Sequence, residues 1–202
     1  MKKVLILIFF SVLIFSEPHD NFENLYTGIN YLLEKRDDKT AEKYFLKAIN
    51  EDNNPNAYVY LGIIYNDRGD KKLAEKYFLL AIEKRNTVMA MTYLGLLYQS
   101  QGKDDLAEKY YLMGVEYEEP SSMHFLGLLY GNHSNYGLAE KYLKMAVEYD
   151  HLDSAYSLGI MYGLLGKEEL AYVYLTAAAQ LGQEDAIEFL EEYEGWRNKN
   201  FK

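Results

Sequence analysis

Apolar side chains recur along this chain at intervals of three and four residues, the spacing that places them on one face of an α-helix. Residues 55–68 carry one such stripe, formed by Tyr58, Leu61, Ile64 and Tyr65. A second stripe runs from Leu73 to Ile82. Pro55 suits the first turn of a helix, and Gly69 suits the residue just past a helix end. The pattern therefore predicts two helices joined by a short turn.

This hairpin pattern is repeated as Leu-Gly-x-x-Tyr followed by Leu-Ala-Glu-Lys-Tyr or a close variant. The repeated glycine occurs at Gly62, Gly95, Gly127 and Gly159, and the repeated alanine at Ala74, Ala107, Ala139 and Ala171. In both series the successive copies are 33, 32 and 32 residues apart. A fixed period of this size is typical of stacked helical hairpins, which bury their apolar faces against their neighbours. We predict an all-α solenoid over residues 20–199, with hairpins at about 21–54, 55–87, 88–119, 120–151 and 152–183 and a capping helix at 184–199.

The repeated glycine lies in the middle of each predicted first helix, where glycine costs about 1 kcal/mol relative to alanine. We expect a packing reason for this cost. At Gly62 the missing side chain would let the paired helix come close, with Ala74 and Ala81 supplying the facing surface. Because extra atoms overpack a tight contact, Gly95→Leu is expected to destabilise the array by about 1 to 3 kcal/mol.

Two positions depart from the repeat. Ser134 stands where other copies have Gly69, Gly102 and Gly166, which indicates either a distorted turn used for contacts or a neutral change, and we favour the neutral change. Trp196 is the single tryptophan. Its expected role is to cover the last apolar edge of the solenoid, and the alternative is an anchor for a partner.

Composition narrows the classes of partner. The chain is 49% hydrophobic and 26% charged, which is ordinary for a globular protein. Its formal charge of −10 disfavours nucleic acid, which needs clustered Lys and Arg, and also disfavours anionic membrane surfaces. The absence of Cys excludes disulfides and thiolate metal sites. We expect a protein or peptide partner, no cofactor and a monomeric chain.

The first residues predict export. Lys2 and Lys3 precede an apolar stretch from Val4 to Phe15, and the chain turns polar after Ser16. This order is typical of a secretory signal peptide over residues 1–16. The apolar stretch is 12 residues long, shorter than the ~20 residues that a spanning helix needs. We therefore expect cleavage after Ser16 and a periplasmic or secreted protein with no membrane attachment afterwards.

The repeated residues resemble the tetratricopeptide repeat, and more closely its Sel-1-like subclass. The tetratricopeptide pattern is matched by Leu61, Gly62, Tyr65, Ala74, Phe78 and Ala81. The Sel-1-like additions are matched by Ala57, Ala90, Ala177, Ala178, Gly182 and Ala186, whereas Gly114 replaces an expected alanine. The resemblance implies a right-handed solenoid that binds proteins or peptides.

The resemblance also implies that the first helices line a concave face, with its exposed positions placed around each conserved glycine. These positions are Val59, Tyr60, Ile63, Asn66, Asp67, Thr92, Tyr93, Leu96, Gln99, Ser100, His124, Phe125, Leu128, Asn132, Tyr156, Ser157, Ile160 and Leu164. Within this set, Tyr60, Tyr93 and Phe125 would form an aromatic ladder for a partner. The alternative, which we favour, is that the three rings pack on neighbouring helices.

Catalysis has little support in the sequence. No two of His19, His124, His133 and His151 are spaced to share a metal or a nucleophile. The recurring Glu-Lys pairs, such as Glu75-Lys76, are interpreted as a solvated helix surface. We expect a non-enzymatic binding scaffold. Two alternatives stay open: an envelope hydrolase, which a deep pocket with a perturbed carboxylate or His124 would favour, and an adaptor that stacks end to end.

Overall fold

A computed structural model describes residues 22–85 and 87–191. All regular elements in these two ranges are helices: α1 Glu23–Leu33, α2 Asp38–Asn50, α3 Asn56–Asp67, α4 Lys71–Arg85, α5 Val88–Gln99, α6 Asp104–Glu116, α7 Pro120–Asn132, α8 Tyr136–Glu148, α9 Leu152–Leu164 and α10 Glu168–Gln180. Residues 184–191 are also helical. The predicted signal peptide and Trp196 lie outside the described residues.

Helices pair in chain order into five hairpins, and each hairpin contacts the next through its second helix and the following first helix. The buried side chains form clusters that run from one hairpin into the next instead of one closed centre. The predicted all-α solenoid of five hairpins is confirmed. Within the described ranges, no helix is both long and apolar enough to cross a bilayer.

The conserved mid-helix glycine makes room for a large side chain of the paired helix. A Cβ built on Gly62 would lie 2.4 Å from the Phe78 ring, and one built on Gly95 would lie 2.4 Å from the Tyr111 ring. The expected facing surface of Ala74 and Ala81 was therefore wrong, although both alanines are buried. The glycine is needed because a ring, and not a bare helix backbone, packs against it.

The turns inside the hairpins have a left-handed residue where the first helix ends. Gly69, Gly102 and Gly166 adopt φ of +82°, +69° and +68°. Ser134 adopts the same conformation with φ of 59°. Its N–H donates to the Gly131 carbonyl just as the N–H of Gly69 donates to Asn66. The turn at Ser134 thus keeps the shape of the other turns and is not distorted.

Successive hairpins meet through pairs of small residues. At one junction Ser122 Oγ would lie 2.0 Å from a Cβ built on Gly114. Three other junctions bring two buried alanines into one core cluster: Ala48 with Ala57, Ala81 with Ala90, and Ala178 with Ala186. Gly114, in place of the expected alanine, leaves room here for the Ser122 side chain.

A second junction contact joins the tyrosine of Leu-Gly-x-x-Tyr to the glutamate of the preceding hairpin. Tyr98 Oη donates to Glu75 Oε1 at 2.7 Å, Tyr130 Oη donates to Glu108 Oε1 at 2.6 Å, and Tyr65 donates to Glu42. Burial and the bond to Glu75 raise the pKa of Tyr98. The interpretation of the Glu-Lys pairs as solvated was therefore wrong for these glutamates, which hold neighbouring hairpins together.

Removing one of these hydroxyls should weaken the stack. We expect Tyr98→Phe to lower the free energy of unfolding by about 1 to 2 kcal/mol, because the Glu75 carboxylate loses a hydrogen-bond donor in a half-buried place. Tyr136→Phe is the matched control, since Tyr136 is 40% exposed. Urea unfolding of both variants measures the effect. Equal stabilities would show that the bond contributes nothing.

Candidate functional site

We call the eighteen positions predicted around the glycines of α3, α5, α7 and α9 the first-helix face. Most of these side chains reach the surface at least partly. Three do not: Val59, Thr92 and His124 are only 1%, 5% and 6% exposed. Their expected exposure was wrong, because the neighbouring first helix covers this position.

Three aromatic side chains of the face are half-buried and stack on the second helix of the preceding hairpin. The ring centroids are 5.0 Å apart for Tyr60 on Phe45, 5.8 Å for Tyr93 on Phe78 and 6.0 Å for Phe125 on Tyr111. Phe45, Phe78 and Tyr111, which we call the inner rings, are the same side chains that pack on the repeated glycines. This arrangement agrees with the packing interpretation, and only the outer parts of Tyr60, Tyr93 and Phe125 reach solvent.

The remaining surface of the face is apolar with a few amide groups. Half-buried aliphatic side chains occupy the position after each conserved glycine: Ile63, Leu96, Leu128 and Ile160. Asn132 is exposed and Tyr156 is half-buried. Asn66 accepts a hydrogen bond from Lys71 Nζ at 2.7 Å, and Gln99 accepts one from Tyr111 Oη at 2.8 Å. Asp67 is the single charged residue among the eighteen.

A buried polar cluster lies behind the face. His124 Nδ1 and His151 Nδ1 both lie within hydrogen-bond distance of Ser154 Oγ, at 2.9 and 3.0 Å, and the two imidazole rings stack with centroids 4.7 Å apart. The sequence did not indicate this contact, because His124 and His151 are 27 residues apart and belong to different helices: His124 lies in α7 and His151 directly precedes α9.

This cluster does not form an accessible catalytic site. Burial, followed by the nearby His151, lowers the pKa of His124 to about 4. Burial also lowers the pKa of His151, against the opposing effect of Asp153 and Glu119. However, Ser154 is 0% exposed and His124 is 6% exposed, so a substrate cannot reach either. Within the described residues, no group of three His, Cys, Asp or Glu side chains could hold a metal.

The sequence reasoning missed an apolar cavity of about 300 Å³ at the end of the described chain. Its walls come from α9, α10 and residues 184–191 and include Leu164, Leu175 and Phe189. A signal was present in the sequence. Leu175, like Leu143, stands where the first three copies have a ring, at Phe45, Phe78 and Tyr111, but of the two leucines only Leu175 is followed by a ring, Phe189, fourteen residues later.

Comparison with known proteins agrees with this architecture. Residues 55–83 match the family model of the tetratricopeptide repeat. The match covers the second hairpin, in which the packing of Gly62 against Phe78 is found. Together with the structural neighbours below, it supports the tetratricopeptide repeat superfamily, whereas the Sel-1-like subclass stays a prediction. A search among curated proteins gives no match.

Solved structures share the fold at low sequence identity. The crystal structure of MamA aligns with a TM-score of 0.59 and 19% identity over 79% of this chain and 96% of MamA. PilF of Pseudomonas aeruginosa aligns with a TM-score of 0.64 and 17% identity over 84% of this chain and 80% of PilF. Human IFIT1, solved as a dimer with PPP-AAAA, aligns with a TM-score of 0.70 and 17% identity over 89% of this chain and 46% of IFIT1. These likenesses concern the fold alone.

Proposed function

We propose that the protein is an exported, non-enzymatic scaffold that binds a protein or peptide on a concave surface formed by the first-helix face. The observation that supports this most directly is the row of half-buried aliphatic side chains Ile63, Leu96, Leu128 and Ile160, one from each of four successive first helices. An apolar row of this kind suits a peptide or helix that lies across several hairpins. The tetratricopeptide-like fold, typically a non-catalytic scaffold, agrees with it.

The chemistry of the face favours a polypeptide over nucleic acid. Its eighteen positions contain no Lys or Arg, the residues that neutralise phosphates. IFIT1 was solved with PPP-AAAA, but a face without cations does not suit such a ligand. The aromatic edges of Tyr60, Tyr93 and Phe125 add contact area that loses little conformational entropy on binding.

The experiment compares two double variants of the full chain. Leu96→Asp with Leu128→Asp places two carboxylates on the first-helix face, at positions 32 residues apart. Leu46→Asp with Leu79→Asp is the control, since both leucines lie on second helices and are 39% and 38% exposed. Partners are isolated by affinity purification from the cell envelope, identified by mass spectrometry and then titrated in purified form.

We expect the face variant to weaken binding of the identified partner by at least about 30-fold, the loss of one hot-spot interaction. The control should bind as the native chain does. Circular dichroism checks that both variants stay helical. A partner that is retained by the face variant and lost by the control would overturn the proposal in favour of an opposite-face or end-to-end contact. Recovery of the protein from the cytoplasm, with residues 1–16 still attached, would overturn export.

A further inference from the structure

The apolar cavity lies beside a junction that keeps only one of the two rings that stack at three earlier junctions. In three hairpin junctions a second-helix ring stacks on a ring of the next first helix, as Tyr111 does on Phe125 fourteen residues later. Phe189 follows Leu175 by the same fourteen residues. Because leucine replaces the inner ring, Phe189 lacks the stacking partner seen at the earlier junctions, and it is 41% exposed. The space beside it is the cavity.

The lining of the cavity is suited to one aromatic side chain. Its volume of about 300 Å³ is at the lower limit of about 300 to 1,000 Å³ for small-molecule sites. Leu164, Leu175 and Phe189 make it apolar, and Glu168 is the charged residue at its edge. Glu168 and Glu169 together form an acidic first turn of α10. An aromatic ring followed by a basic residue would match both features.

The residues that follow Glu191 carry this chemistry. The sequence of 192–202 includes Trp196 followed directly by Arg197, and Lys199 is close behind. Trp196 is the fifth residue after Glu191, and five residues span up to about 17 Å. Leu190, the neighbour of Glu191, itself lines the cavity.

We propose that the cavity is a binding site for an aromatic side chain and that Trp196 of the same chain occupies it, stacked on Phe189, with Arg197 beside the acidic turn of α10. An indole buries a large apolar area, and offset ring pairs add to that stabilisation. An open apolar patch here would include Leu164, which is 81% exposed, and large patches of this kind normally have a partner.

This docking has a consequence for binding that rests on the proposed function. Ile160 and Leu164 belong to the first-helix face and also line the cavity. A partner that uses these two positions would therefore compete with the indole for the same apolar surface.

Intrinsic fluorescence tests the docking without any partner, because Trp196 is the single tryptophan of the chain. In the full-length protein we expect a blue-shifted emission maximum and weak quenching by acrylamide. Leu175→Phe should restore the missing inner ring, fill the cavity and expel the indole. Its emission should shift to the red, and its quenching constant should rise several-fold. Leu143→Phe is the matched control, since Leu143 packs on Gly127 as Leu175 packs on Gly159.

A second variant guards against misfolding of the end of the solenoid. Leu164→Lys changes a side chain that is 81% exposed, so it should leave the helices intact while its charge repels Arg197 and disrupts the apolar wall. It should produce the same red shift as Leu175→Phe. A native emission spectrum equal to that in urea would overturn the docking, and so would equal effects of Leu175→Phe and Leu143→Phe. The fluorescence spectra do not depend on a partner. Failure to find any partner would therefore count only against the proposed function.

Discussion

Gly95→Ala is expected to lower the free energy of unfolding by about 2 kcal/mol, although alanine is the better helix former by about 1 kcal/mol. The added Cβ would lie 2.4 Å from Cε1 of Tyr111. The ring cannot withdraw, because it is 0% exposed, stacks on Phe125 and donates its hydroxyl hydrogen to Gln99. Helix or ring must shift, and the junction to α7 shifts with it. For a chain of this length the change corresponds to about 5 °C in Tm.

Gly137→Ala is the matched control, because it makes the same substitution in α8 where the added Cβ meets no atom within 4 Å beyond its own turn of helix. Here the helix propensity of alanine acts alone, and we expect a gain of up to about 1 kcal/mol. Thermal and urea unfolding of the two variants should therefore change in opposite directions. The same loss in both would mean that glycine serves some purpose other than admitting the ring. Gly95→Leu should change in the same direction as Gly95→Ala, by more.

Mild acid should destabilise the solenoid through His124. The pKa of His124 is about 4 in the folded chain, against the ordinary value of 6.5, because burial disfavours its charged form. The unfolded chain therefore binds the proton first. The contribution of His124 to stability is complete above pH 6.5 and is lost as the pH falls from there towards 4. Between pH 7 and pH 5 the loss amounts to about 2 kcal/mol.

His124→Asn separates this contribution from other acid effects. An asparagine amide can still bond to Ser154 but does not titrate, so the variant should lose at least half of the stability change between pH 7 and pH 5, and His151 supplies the remainder. Asp37, Glu42 and Glu140 have pKa values below their ordinary ones, which are 3.8 for Asp and 4.5 for Glu. These carboxylates therefore take up protons mainly below pH 5. An identical change in the native chain and the variant would contradict the assignment.

The sequence predicts the hairpins well because two residue types carry geometric requirements that repeat. Gly69 and Gly102 mark where a first helix must end in a left-handed residue, and the periodic alanines mark where helices touch. The sequence does not predict which side of a first helix its neighbour covers. Val59 and Thr92 occupy positions that the resemblance assigns to a binding surface, yet they are buried. That burial depends on the angle between hairpins, which no local pattern encodes.

The candidate site likewise contains features that the sequence predicts and features that it does not. The aliphatic row that includes Leu96 and Leu128 follows directly from the position after the repeated glycine. The contact between His124 and His151 does not, because neither residue recurs in the other copies. The cavity beside Phe189 is an intermediate case. It arises where Leu175 replaces a ring while Phe189 is kept, and this mismatch has meaning only once the rings at earlier junctions are seen to stack.

The Tyr-Glu bonds and small-residue contacts between hairpins also bear on how such a chain can change in length. Each hairpin presents one kind of surface to its predecessor and the complementary kind to its successor. A duplicated or deleted copy of 32 or 33 residues would therefore meet, on both sides, surfaces of the kind that it already packs against. The span of surface offered to a ligand can thus grow or shrink by whole modules in evolution.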